Sequence, residues 1–308
     1  LGTSQVAALS TSVLANGLTT DQVVAMSSNQ LGALSTAQFN ALSTTAVAAI
    51  ETADIGGLKT SIIAALKTGQ LAAITTDQLG ALSTNQVAAL TTGSIAALTT
   101  DQVVALSSNQ FGALSSAQIS AFSTNDIAAI ETGDIGALKT NAIAALTTNQ
   151  TKALTTDQVV ALSSQQIGTL SSQQVAALSS GAVAAIETAD IGALKTNAIA
   201  ARTTQQLAAV TTDQIGALST AQVSALSTND LANGLTTDQV VALSSNQLGA
   251  LSTAQFSALS TNAIAAIETA DIVGLKTNII ASLKTGQLAA ITTDQLGALS
   301  TNQVAALT

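Results

Sequence analysis

Four copies of one phrase hold the residues of this chain best suited to chemistry. IETADIGG at Ile50–Gly57 recurs, slightly altered, at Ile130–Ala137, Ile186–Ala193 and Ile267–Gly274. Each copy sets a glutamate (Glu51, Glu131, Glu187, Glu268) three residues before an aspartate (Asp54, Asp134, Asp190, Asp271), and eight residues after each glutamate stands a lysine (Lys59, Lys139, Lys195, Lys276). Paired carboxylates can hold a cation or lock two chains together. The same spacing, if successive eight-residue units stack, brings Glu and Lys side by side as a solvated ion pair worth about 0–1 kcal/mol. We adopt the ion-pair reading for Glu51–Lys59, Glu131–Lys139, Glu187–Lys195 and Glu268–Lys276, as a pin for the register of a repetitive array, and assign no metal site. Seven further aspartates lie in TTDQ phrases: Asp21, Asp77, Asp101, Asp157, Asp213, Asp238 and Asp294. A first-turn carboxylate facing the positive end of a helix gains a few tenths of a kcal/mol. Calcium is the sharper reading, but the sequence has no Asp-x-Asp-x-Asp-Gly loop.

The many Ser and Thr hydroxyls are candidate nucleophiles in name alone. Activation needs a neighbouring base, and the chain has no His and no Cys. Phosphate-binding loops and dinucleotide fingerprints are absent. No catalytic residue and no cofactor is assigned, and the chain reads as a non-enzyme. A regular Thr array could also match an ordered lattice such as ice. Thr alternates freely with Ser, as in Ser107-Ser108 and Ser163-Ser164, which a lattice-matching surface should resist.

Composition narrows the class further. Only 8% of the 308 residues are charged, with 17 acids against 8 bases. A nucleic-acid surface needs clustered Lys and Arg, so no nucleic-acid partner is expected. Apolar content of 47% argues against disorder. Sparse charge leaves little repulsion between copies, so the expected partner is the chain itself. No apolar run approaches the ~18 residues of a membrane span. The chain opens at Leu1 inside its repeat pattern, without a Met, and reads as a segment of something longer or as a processed product.

These residues must be positioned by a very small unit. From Leu18 to Leu226 a large apolar residue returns at every eighth position, Arg202 being the one polar occupant. Five residues later a second apolar column follows (Val23, Leu31, Phe39, Val47), broken only by Thr151. The unit is an octad, typified by LSTNQVAA at Leu82–Ala89. Its phase slips by one residue at two nine-residue steps, 9–17 and 226–234, both running into Leu-Ala-Asn-Gly. The slips fall at the same place in two copies of a longer unit, and Ala49–Thr91 matches Ala266–Thr308 at all but three places. Residues 1–308 therefore read as one continuous array with a superunit of twenty-seven octads plus one residue.

Within LSTNQVAA, Ser83 and Gln86 form a capping box, and Leu82 and Val87 the hydrophobic staple beside it. Two alanines follow, the strongest helix formers. A period of eight fits no continuous helix, because such helices repeat near 3.5 to 3.67 residues per turn. The expectation is an all-α solenoid of very short helices, each about one and a half turns and re-capped by the next Ser/Thr pair. Helices that short do not survive alone, so stacking must hold them. Gly80, Gly112, Gly136, Gly168, Gly192 and Gly216, just after the staple, would let backbones approach. The alternative is a β-solenoid with a corner inside each octad, favoured by the β-branched residues and opposed by Ala and Gln.

The phrases LTTDQVVALSS, LSTAQ and AALTT resemble Ala/Leu/Thr/Gln-rich octapeptide tracts in very large secreted or cell-surface, adhesin-like proteins of Gram-negative bacteria. That resemblance implies export, exposure at the bacterial surface and a role in a filament, sheath or surface layer. The competing implication is an adhesin stalk or a lattice- or ligand-binding module.

Overall fold

The computed structural model describes residues 1–307. Every regular element among them is a helix of four to six residues, from Thr3–Ala7 to Thr301–Ala305. The helical reading of the octad holds, and the β-solenoid is set aside.

Each boundary follows from local chemistry. In LSTNQVAA, Ser83 is extended (φ −66°, ψ 158°) and its hydroxyl accepts from the Gln86 amide, opening the helix Thr84–Ala88. The Gln86 side chain returns to accept from Ser83 N at 2.8 Å. Stopping the helix needs no left-handed residue, and the described chain has no positive φ. Two extended residues turn the corner instead, as at Leu34 (φ −64°, ψ 144°) and Ser35 (φ −76°, ψ 163°). The corner leucine closes the preceding turn, Leu90 N donating to Val87 O at 3.1 Å.

Two compact units are present, Leu1–Ala153 and Leu154–Thr308. In the first, Thr76–Gly80 packs on Thr52–Ile55 and on Thr100–Val104, three octads back and three octads on. In the second, Ser180–Ala185 packs in the same way on Thr156–Val160 and Thr204–Ala209. Each turn is thus three helices, one from each of three successive octads. Octads one apart form adjoining sides of a turn, and octads three apart stack. Stacking buries both apolar columns: Val87 is 0% and Leu90 3% exposed. Isolated helices of five residues would melt, and this burial is what holds them.

Both nine-residue steps are absorbed without breaking a unit. At the second, Asp230–Gly234 forms one π-helical turn closed by Leu235 N donating to Asp230 O at 2.9 Å. At the first, the helix Thr11–Asn16 is closed by Gly17 N on Val13 O at 2.7 Å.

Candidate functional site

No helix among the described residues is long and apolar enough to cross a membrane, and no three His, Cys, Asp or Glu among them group as metal ligands. The polar groups instead form an internal network between turns, built around glutamine.

The Gln three residues after the cap does two jobs. Its Oε1 accepts from the cap backbone, as Gln78 does from Thr75 N at 2.9 Å. Its Nε2 donates to carbonyls of the turn beneath, those of Val47 (3.1 Å) and Ile50 (2.6 Å), 31 and 28 residues back. Gln86 reaches Leu58 O at 2.8 Å, and Gln110 reaches Leu82 O at 2.7 Å. In the second unit Gln206 donates to Val175 O (2.9 Å) and Leu178 O (2.8 Å). These side chains are almost fully buried, 1% exposed at Gln78 and 2% at Gln86. A buried amide needs every hydrogen bond it can make, and here donors and acceptor are both engaged. The capping box shows in the sequence, but the inter-turn tie does not. One signal for it exists: glutamate would serve the box equally well, yet it has no N–H to send downward.

The glutamate and lysine of each IETxD region lie where the octad puts them. Glu51, Glu131, Glu187 and Glu268 are helix N-caps, and so are Lys59, Lys139, Lys195 and Lys276; none of the eight makes a side-chain cap bond. All eight are exposed. A spacing of eight is one step around the turn, whereas octads stack three apart, so each Glu and the Lys eight residues on stand at the starts of successive helices of the turn. Lys195 Nζ donates to Thr169 O at 3.3 Å, 26 residues back. Lys276 lies on an open polar depression of about 380 Å³ that also touches Thr220, Ser245 and Asn246.

The aspartates of the same phrase turn inward. Asp54 Oδ1 accepts from both Ser28 N (2.7 Å) and Ser28 Oγ (2.5 Å), 26 residues earlier. Asp134 accepts from Ser108 Oγ, Asp190 from Ser164 Oγ and Asp271 from Ser245 Oγ at the same separation. Asp126 accepts from Thr100 Oγ1 at 3.0 Å. The seven TTDQ aspartates are exposed, one residue before the tying glutamine and in the first helical turn, as the dipole argument expects.

Arg202 is the exception in the leucine column. It is 6% exposed, its Nε donates to Ile199 O at 3.0 Å, and its Nη2 has no hydrogen-bond partner. Desolvation pulls its pKa down to about 10, and the charge of Asp230 opposes that fall. Asp230 stands one turn further along, in the place a tying glutamine occupies elsewhere, and accepts from Ser227 N and Oγ.

Comparison with known families follows this periodicity. The family described as ALTTAQ repeat matches residues 16–44, 47–92, 72–108, 87–124, 127–164, 183–220, 215–245, 223–261 and 264–308. The chain belongs to the ALTTAQ repeat family. No curated protein matches it. The name describes the octad's own words: the hydroxyl pair that caps, the residue that follows, and the glutamine that ties. The ALTTAQ matches run close to both nine-residue steps, 16–44 at the end of the first and 215–245 and 223–261 across the second. Bacterial origin and an adhesin context rest on the resemblance alone.

Proposed function

We infer that this ALTTAQ array is a non-enzymatic structural segment of an extracellular filament, sheath or surface layer of a bacterial cell, and that it associates with copies of itself. The observation that carries the reading is the use of its reactive groups. Cap hydroxyls such as Ser83 are bound to backbone amides, and the carboxylates Asp54, Asp134, Asp190 and Asp271 are bound to serines of the adjacent turn. Chemistry here is spent on stacking. The outward residues are Ser, Thr, Asn and Ala with few charges, and exposed aliphatics interrupt them at Val104, Val160 and Val273. Such a surface repels its copies weakly. The resemblance to secreted, surface-exposed tracts supplies the location.

Negative-stain electron microscopy of the purified chain, with light scattering over a concentration series, tests this. Ordered polymers or sheets are expected. Isolated particles at every concentration would refute self-association, and isolated particles that retain a ligand would favour a stalk or binding module.

A further inference from the structure

The glutamine ties pose a problem of specificity. Each Nε2 grips backbone carbonyls, which every octad offers at the same two places. The apolar columns are equally uniform. Neither the ties nor the columns state how many helices make a turn. Something must count to three.

The structure assigns that count to the Ser–Asp bonds. Each IETxD octad lies one turn above an octad of a single kind, Ser-Ser-x-Gln-apolar-Gly. The lower phrases run SSNQLG from Ser27, SSNQFG from Ser107, SSQQIG from Ser163 and SSNQLG from Ser244, each three octads before Glu51, Glu131, Glu187 and Glu268. The first serine serves the cap; the second, Ser28, Ser108, Ser164 or Ser245, binds the aspartate above. The remaining SSQQ phrase, at Ser171–Gln174, continues with Val-Ala in place of apolar-Gly, and three octads on Ala198 stands where the aspartate would be. Serine and aspartate thus occur as matched sets. Replacing Gln by Asp gives up the tie to backbone carbonyls and takes up a bond from the hydroxyl of that second serine, joined at Ser28 by its backbone N–H. At two of the four levels the glycine is also required: a Cβ on Gly32 would meet Gly57 O at 2.7 Å and one on Gly168 would meet Ala193 O at 3.1 Å, whereas Gly112 has an ordinary 3.4 Å contact and Gly249 nothing within 4 Å. A bond to a charged acceptor is roughly twice as strong as a neutral one, so few keys suffice. They recur in both units, with Thr100–Asp126 as a further one.

Cysteine trapping reads the count directly, because the chain has no cysteine of its own. In the three-helix turn a Cβ on Gly69 lies 3.8 Å from Thr44 Cγ2. Thr44→Cys with Gly69→Cys therefore reports three helices per turn. Thr52→Cys with Gly69→Cys reports two, and Thr36→Cys with Gly69→Cys reports four. With the Ser28–Asp54 key intact, only the first pair should close under mild oxidation. Adding Ser28→Ala, or the isosteric Asp54→Asn, should let the second or third pair close to at least a tenth of the yield of the first, with helical circular dichroism retained. Exclusive closure of the first pair in both keyless chains would overturn the assignment and leave the count to the backbone corners. Loss of helicity in both would overturn it too, since the bond would then serve stability in general.

Discussion

Gln86→Glu isolates the tie between turns. The change keeps Oε1, so the cap bond from Ser83 N at 2.8 Å survives. It removes the amide that donates to Leu58 O (2.8 Å), Ile55 O and Gly56 O (each 3.3 Å). Losing those bonds in a site only 2% exposed costs about 1–3 kcal/mol. The carboxylate would also face three carbonyls with no counter-charge, which favours its neutral form. Protonation limits that second penalty: between an unfolded pKa near 4.3 and pH 7 it cannot exceed about 3.7 kcal/mol. Together they come to about 1–7 kcal/mol at pH 7. The sign with pH follows from a folded pKa raised above the unfolded one, so the charge penalty is absent below about pH 4.3 and grows as pH rises toward the folded value. Asn85→Asp is the control, one residue away and exposed, where TDQ already occurs in seven other octads. Guanidinium unfolding followed by circular dichroism at pH 4 and pH 7 measures both variants. If Gln86→Glu matches Asn85→Asp, or loses the same stability at both pH values, the buried tie is not what holds the turns.

Two further outcomes are expected. Arg202→Leu with Asp230→Gln restores the residues of a regular octad, and calorimetric unfolding should show a gain of about 1–4 kcal/mol, as when buried charges give way to well-packed residues; a loss would mean the two charges stabilise this step. The adjacent glycines should respond oppositely in thermal melts. Gly57→Ala drives a Cβ to 2.5 Å from Ser28 O and should cost about 1–3 kcal/mol, whereas Gly56→Ala meets nothing within 4 Å and should gain about 0.4–1 kcal/mol.

Periodicity makes the elements legible, and their stacking only partly so. The Ser83–Gln86 box, the Leu82–Val87 staple and the two alanines each act within one octad, so a sequence window of eight residues contains all their partners. The turn of three helices acts across three octads, and nothing inside LSTNQVAA states that number. Glu51 and Lys59 look like stacking partners because eight is the visible period. The contact between turns at this phrase, Ser28 with Asp54, spans 26 residues, a separation that gains meaning only once the turn is known. The same obstacle hides the second half of each glutamine. Arg202 stands out at once as the polar break in a leucine column, but its relation to Asp230 can be seen only through the reach of the inter-turn tie it displaces.

Reading backbone in place of side chains also explains how the array tolerates an extra residue. After the step at 226–234 the tie lengthens by one: Gln239 reaches Val210 O and Gln247 reaches Leu218 O, each 29 residues back, one more than Gln86 spans to Leu58. Gln38 does the same after the first step, reaching Leu9 O. Donor and acceptor are of the same kind throughout, because every residue has a carbonyl. Further along the shorter reach returns, Gln287 donating to Leu259 O 28 residues back. A lattice held by matched side chains would need a compensating substitution at every level the slip touches. Only one is visible, at the π-turn itself, where Asp230 replaces the tying glutamine and Arg202 beneath it replaces a leucine. Sequence-blind ties make the array easy to lengthen, duplicate and interrupt. The same blindness leaves the number of helices per turn to the few positions that do recognise one another.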